Sequence, residues 1–170
     1  MKNLSAFFSD HRRLALVIVL ASAGALAFAY ISQYVFNLQP CILCHYQRKP
    51  YFVVIALGLL AAGTAGMCRK TTLALLIGCG LAFLAGLGLS GFHVGVEQEW
   101  WKGLQACGDS NLPQNATIEE LREYLLNRPI VRCDVPGWQM FGISMTGYNF
   151  LLSLFLTGFT FWFIPKGWKK

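Results

Sequence analysis

The stretch Leu14-Ala-Leu-Val-Ile-Val-Leu-Ala-Ser-Ala-Gly-Ala-Leu-Ala-Phe-Ala-Tyr-Ile-Ser-Gln-Tyr-Val-Phe36 runs for 23 residues without Asp, Glu, Lys or Arg. As an α-helix it is long enough to cross about 30 Å of hydrocarbon. Three further runs share the property: Pro50 to Met67, Thr71 to Phe92 and Phe141 to Ile164. The shortest, 50–67, meets the bilayer thickness by borrowing neighbours or tilting less. The pattern predicts an all-α membrane protein, a bundle of four transmembrane helices at about 14–36, 50–67, 71–92 and 141–164. The connecting segments on the side away from the termini are then about 37–49 and 93–140.

Composition supports a lipid solvent. Of 170 residues 55% are hydrophobic and 13% charged, too apolar for a soluble chain of this length. The net charge of +6 does not make a nucleic-acid binder, because Lys and Arg cluster between the apolar runs, not along one face of a folded domain. Glycines at 58, 63, 66, 78, 80, 86 and 88 allow the middle helices to approach closely. With no tandem repeat and no Pro/Ser-rich linker, 1–170 reads as one domain. A cleaved signal peptide is the alternative for the first run, since Ala27-Phe28-Ala29 resembles a processing site behind Arg12-Arg13. An h-region of about 7–15 residues is much shorter than this run, which favours a retained span.

Basic residues orient the bundle. Lys2, Arg12 and Arg13 precede the first span, Arg69 and Lys70 fill the turn after the second, and Lys166, Lys169 and Lys170 follow the fourth. Alternating spans put all of these on one side, which is therefore cytoplasmic, with both termini. The opposite side receives most of the acidic residues and the segment Gln39-Pro-Cys-Ile-Leu-Cys-His-Tyr-Gln-Arg48. Arg48 and Lys49 run against the trend there, and cations at a helix start oppose the helix dipole. Some other requirement holds them in place.

The cysteines suggest what it is. Cys41 and Cys44 fall in the first outer segment and Cys107 and Cys133 in the second, while Cys68 and Cys79 are expected to be packing residues. A Cys107–Cys133 bridge closing 27 residues is a plausible staple worth about 3.5 kcal/mol in the chain-entropy model. A C-x-x-C bridge closes too little chain to be a good staple, and dithiols at this spacing have pKa values suited to exchange. If the chain is already helical at Cys44, Arg48 lies one turn on, where its guanidinium favours a thiolate. Pro50 is expected to kink or delay that helix. In the long loop, Thr117-Ile-Glu-Glu120 is a capping box, followed by Leu121 and Leu125 at helical spacing and a stop at Asn127-Arg-Pro129. A short amphipathic helix lying on the membrane surface or the bundle is expected there. Asn115-Ala-Thr117 fits a glycosylation sequon but carries no weight in a chain of bacterial appearance.

Taken together, these features resemble the DsbB disulfide-bond formation proteins, inner-membrane thiol oxidases of bacteria. The resemblance covers the whole chain: four spans, Pro40-Cys-x-x-Cys44 with Arg48 four beyond, a second cysteine pair in the second outer loop, His93 after the third span, and Cys133-Asp-Val-Pro-Gly-Trp138 before the fourth. Gln47 departs from the acidic residue often found before the arginine, which bears on local tuning. Gly95-Val-Glu-Gln-Glu-Trp-Trp101 is similar to a branch of the family whose physiological partner differs. The resemblance implies a bacterial inner-membrane enzyme, a protein-dithiol:quinone oxidoreductase with its active cysteines on the periplasmic side. Its catalytic residues would be Cys41, Cys44, Cys107 and Cys133, with Cys107 attacked by a DsbA-like thioredoxin-fold oxidase and Cys133 acting on the Cys41–Cys44 bridge or resolving the partner. Cys44, Arg48 and His93 would face ubiquinone or menaquinone, not covalently bound, drawn from the membrane quinone pool. Lipid bilayer, quinone and oxidase are the expected partners; nucleic acid and a resident metal are not expected.

Other readings fit less of the chain. Cys41-Ile-Leu-Cys-His45 matches a c-type haem attachment string, but about a dozen residues between spans leave little protein to wrap a macrocycle, and Cys107 and Cys133 stay unexplained. A zinc site on Cys41, Cys44 and His45 lacks a fourth donor. In vitamin K epoxide reductase-like proteins the quinone-side C-x-x-C comes late in the chain, whereas here it comes first. A disulfide-stapled membrane scaffold, with Trp100, Trp101 and Trp138 as interface anchors, is the non-enzymatic alternative.

Overall fold

A computed structural model describes residues 10–104, 117–119, 122 and 132–165. Four long helices make up most of it: α1 (His11–Tyr34), α2 (Ile42–Thr64), α3 (Arg69–Glu97) and α4 (Met145–Phe163). A small antiparallel hairpin, β1 (Gln139–Met140) and β2 (Ile143–Ser144), precedes α4. Asp10 starts α1 by accepting from the Arg12 backbone N–H at 3.0 Å, relieving one of the unpaired donors of the first turn. Ser144 caps α4 in the same way, accepting from Gly147 N–H at 3.0 Å.

The helices pack in sequence order, α1 on α2, α2 on α3 and α3 on α4, while α1 hardly touches α4. Leu14, Ile18, Val54, Leu76, Phe83 and Leu156 form the core. Ser22, Thr72, Ser90, Ser153 and Thr160 are buried with them, whereas Leu20, Phe28, Phe52, Leu60, Leu81, Phe155 and Trp162 are exposed on the outer faces. Small hydroxyl residues inside and large apolar ones outside is the arrangement expected when the surroundings are as apolar as the interior. By length and composition α1 and α3 are apolar enough to cross a membrane. Some of the internal hydroxyls bond to carbonyls of their own helix, as Ser90 Oγ does to Gly86 O at 2.8 Å and Thr157 Oγ1 to Ser153 O at 2.7 Å. At one end of the bundle the start of α1 meets the end of α4, with His11 Nε2 3.5 Å from Ile164 O.

Several boundaries differ from those read in the sequence. Helix α2 begins at Ile42, eight residues ahead of the charge-free run, and carries Pro50 inside it. Proline removes one N–H of the ladder, and here it lies against α3, where a Cβ on Gly86 would stand 3.4 Å from the Pro50 ring. Helix α3 continues to Glu97 because Phe92-His-Val-Gly-Val96 is still apolar enough to pack, and Trp101 folds back to donate to Phe92 O at 3.0 Å. The hairpin takes up the first residues of the last apolar run, so α4 starts at Met145. Its two-residue turn, Phe141 at φ 53° and Gly142 at φ 76°, has the left-handed pair that suits tight hairpins. Cys68 is a correction: instead of packing in the bundle it is exposed in the turn ahead of α3, while Cys79 is buried in the core as expected. Of the expected short helix in the long loop, Ile118, Glu119 and Arg122 are helical and exposed, and the remainder lies outside the described residues.

Two glycines separate close packing from mere helix composition. A Cβ on Gly58 would lie 2.5 Å from Val19 Cγ2 and 3.6 Å from Ala15 O, but one on Gly63 would meet nothing within 4 Å. Gly58→Ala is expected to push α1 off α2 and destabilise by about 1–3 kcal/mol. Gly63→Ala is expected to be neutral or slightly stabilising, since Ala is the better helix former by roughly 1 kcal/mol. Thermal unfolding in detergent checks both, and equal losses for the two would rule out the close α1–α2 approach.

Candidate active site

Helix α2 is capped by a sulfur. Cys41 has extended backbone (φ −72°, ψ 172°), and its Sγ accepts the Cys44 backbone N–H at 3.3 Å. The two cysteines are free thiols with sulfurs 2.9 Å apart. Cys41 is held well below the usual thiol value of 9.0, at about 4: the hydrogen bond from the Cys44 thiol is the largest cause, burial opposes it, and His93 and the helix N–H add to it. The proton that the pair shares stays with Cys44. The sequence reading placed the thiolate on Cys44 beside Arg48. In the free dithiol the capping geometry places it on Cys41 instead, because a helix N-terminus favours an anion at the cap.

Arg48 shares the first turns of α2 but is held by α1. Its guanidinium donates to Gln33 Oε1 at 2.7 Å and stands 4.9 Å from the centre of the Tyr30 ring. Stacking and a neutral acceptor leave its charge without a carboxylate counter-ion in these contacts.

His93 lies inside the protein. It is 1% exposed, and its ring is tied on both sides. Nε2 lies 3.2 Å from Cys133 O and 3.6 Å from Cys41 Sγ, while Nδ1 faces Gln47 Nε2 at 2.8 Å and Thr146 Oγ1 at 3.3 Å. A carbonyl only accepts and an amide nitrogen only donates, so the neutral ring carries its proton on Nε2. Behind it, Asn149 Nδ2 donates to Gln47 Oε1 at 3.0 Å and Tyr51 Oη donates to Asn149 Oδ1 at 2.7 Å. Glu97, one turn beyond His93, has an almost buried side chain; its carboxylate lies 3.9 Å from Nε2 and accepts from Ser144 Oγ. Gln47, Glu97, Thr146 and Asn149 were not singled out as site residues by the sequence. Only the i, i+4 spacing of His93 and Glu97 was visible there.

Cys133 joins the same cluster. It is buried against Cys41, Leu43 and Val96, and it is disulfide-bonded. Its expected partner, Cys107, lies outside the described residues. Cys41, Cys44 and His93 bring three ligand atoms within 4.8 Å of one another, but His93 turns an N–H, not a lone pair, toward the sulfurs. His45, on which the haem and zinc readings depended, is exposed. Beside the dithiol opens a cavity of about 580 Å³ whose wall includes Cys44, Arg48, Tyr51 and His93, with Phe28 of α1 and Leu152 of α4 also in its lining.

Residues 11–163 match the family described as "Disulfide bond formation protein DsbB". The chain belongs to the DsbB family. Among its relatives, a disulfide bond formation protein B of Burkholderia pseudomallei is 34% identical, covering 91% of this chain and 95% of that one. One from Xanthomonas campestris is 28% identical over 88% and 86%. An uncharacterised protein of Rickettsia prowazekii, RP370, is 33% identical over 94% and 92%. No solved structure matches. As a member of the DsbB family the chain is a membrane oxidoreductase of disulfide-bond formation, and its most distinctive chemistry is the capped dithiol.

The low Cys41 value sets a pH dependence. Alkylation needs the thiolate, so labelling of Cys41 in the reduced protein is expected to be nearly flat from neutral pH down to about 5 and to fall through about 4. His93→Leu removes one donor and moves that fall to higher pH. Mass spectrometry of the labelled peptide reads both; a fall-off near the ordinary value of 9.0 would refute the capped thiolate.

Proposed function

We propose that the chain reoxidises a periplasmic thioredoxin-fold oxidase of the DsbA kind and passes the electrons through two cysteine pairs to a membrane quinone. The observation that carries this reading is the burial of Cys133 against the Cys41–Cys44 dithiol, which puts the outer-loop cysteine beside the helix-capped pair. In each exchange a thiolate attacks a disulfide sulfur, one S–S bond forms and one breaks, and two electrons move with it. The partner's thiolate opens the Cys107–Cys133 bridge at Cys107. Cys133 then opens the Cys41–Cys44 bridge at Cys41, and the partner's second thiolate closes the partner's own disulfide and releases Cys107 as a thiolate. While Cys41 is engaged in a mixed disulfide it cannot serve as the cap's anion, and Cys44 leaves as the thiolate beside the Arg48 charge. Cys44 is thus the electron exit.

The cavity supports the acceptor's class. Its apolar walls, with Cys44 and Arg48 in the lining, suit a flat apolar ring carrying polar atoms at its edge, of the ubiquinone or menaquinone type. A bound quinone supplies acceptance of two electrons and two protons. Arg48 holds a fixed positive charge toward negative charge developing there. His93 stays with the thiols, its nitrogens occupied by Cys133, Gln47 and Thr146.

The same reading places four spans in a bacterial inner membrane with both termini cytoplasmic and the cysteine pairs periplasmic. Its support is the exposed apolar face on all four helices and the basic ends at Arg12, Arg13, Arg69 and Lys70, remote along the chain from the dithiol.

Turnover of purified protein with a reduced thioredoxin-fold oxidase and a short-chain quinone tests the proposal. Cys44→Ser is expected to abolish quinone reduction, whereas a stapled scaffold would keep its function. Arg48→Ala is expected to weaken quinone binding by at least about tenfold, or roughly 1.4 kcal/mol, and to slow its reduction, while Cys107 still forms a mixed disulfide with the oxidase. Arg48→Lys retains part of the activity, keeping the charge but losing the planar fork. Quinone kinetics unchanged in Arg48→Ala would remove the arginine from the site.

A further inference from the structure

The hydrogen bonds behind Cys41 have a direction. Ser153 Oγ lies 3.2 Å from Tyr51 Oη, Tyr51 donates to Asn149, Asn149 donates to Gln47, Gln47 donates to His93 Nδ1, and His93 Nε2 faces Cys133 O and Cys41 Sγ. A side-chain amide has one accepting end and one donating end, so each link dictates the next. Tyr51 occupies the accepting end of Asn149, which leaves Asn149 only its NH2 for Gln47. Gln47 must meet that NH2 with its oxygen, which leaves only its own NH2 for His93.

We propose that Gln47 and Asn149 are positioning residues, two amides in series that hold His93 as its neutral Nε2–H tautomer and so aim an N–H at the Cys41 sulfur. The other neutral tautomer would turn a lone pair toward the sulfur and leave two N–H groups pointing at each other between Nδ1 and Gln47. The charged ring would make the same clash at Nδ1. Thr146 Oγ1, 3.3 Å from Nδ1, is a hydroxyl that accommodates either state and selects neither. Selection is therefore shared between the Cys133 carbonyl, which accepts at Nε2, and Gln47, which donates at Nδ1, and through Gln47 it reaches Asn149, which the described contacts never bring to His93 itself. The groups facing the ring from the surrounding elements are Cys41 and Gln47 of α2 and its cap, Glu97 of α3, the Cys133 carbonyl and Thr146 of α4. Glu97 is the competitor, because its carboxylate at 3.9 Å would favour the charged ring. Ser144 Oγ donates to that carboxylate and partly satisfies it. An N–H held at the sulfur lowers the energy of the Cys41 thiolate.

The tautomer assignment stands apart from the quinone reading; its mechanistic value rests on it. The test is nitrogen-15 NMR of ring-labelled full-length protein, reduced, in detergent micelles, with the His93 signals assigned by their loss in His93→Gln. The wild type is expected to show a bare Nδ1 and a protonated Nε2. Asn149→Asp, measured above the pKa of the introduced carboxyl group, has only acceptors. It is expected to turn the Gln47 amide around and move the His93 proton to Nδ1, from a position two links away. Gln47→Leu is expected to lose the preference. Both substitutions should move the pH at which Cys41 labelling falls off upward by about one unit. A wild-type ring protonated on Nδ1, or on both nitrogens, overturns the proposal, and that measurement holds even if a variant fails to fold. So does an Asn149→Asp protein, folded as the wild type, whose tautomer and labelling profile are unchanged. A wild-type protein inactive toward quinones but carrying Nε2–H would end the functional reading and leave this assignment standing.

Discussion

Helix α2 begins where it does because a sulfur ends its row of unpaired donors. The Cys41 Sγ takes the Cys44 N–H, and from that one contact the site follows. The cap fixes the rotamer of Cys41, sets the Cys44 sulfur beside it, and places Gln47 and Arg48 within the next two turns. Oxygen side chains are the usual caps; a thiolate serves as well and is itself stabilised by the helix end. Structure and reactivity therefore share a single atom.

The bundle around this atom obeys the economy of a lipid-facing protein. Its outer faces carry Phe, Leu and Trp, and its centre holds hydroxyls and close glycine contacts such as Gly58 on Val19. Polar groups in such an interior need partners at hand, and a chain of amides and hydroxyls is a compact way to supply them. The chain from Ser153 to His93 draws on three helices, so it also ties α2, α3 and α4 together at the end where the cysteines meet.

Much of this was legible in the sequence. The charge-free runs located the apolar stretches of all four helices, and the Cys41–Cys44 spacing marked the two cysteines whose sulfurs lie 2.9 Å apart. The start of α2 was not legible, because Pro50 reads as a helix stop and cysteine is not read as a cap. Cys68 was read as a packing residue because buried thiols behave as small hydrophobes, whereas the tight turn it occupies leaves it exposed. The hairpin at 139–144 hid inside an apolar run, since Phe141 gives no hint of a positive φ. Gln47, Asn149 and His93 are separated by 46 and 102 residues at their contacts, and nothing local in a single chain announces such a meeting. Gln47 was noticed only as a departure from an acidic residue, and the structure gives that departure a physical content: an amide imposes a direction on its neighbours that a carboxylate, accepting at both ends, does not.

The loose meeting of α1 with α4 has a consequence for how an occupant would reach the cavity. The two helices contribute Phe28, 56% exposed, and Leu152 to its lining, so that part of the wall is as oily as the outer surface and offers water little reason to stay. A molecule that reached it from a bilayer would come already dissolved in an apolar phase. Its effective concentration is then counted per volume of lipid or micelle, not per volume of buffer. Adding detergent at constant protein and ligand dilutes such a molecule just as adding solvent would dilute a water-soluble one, and apparent affinities rise or fall with the amphiphile present.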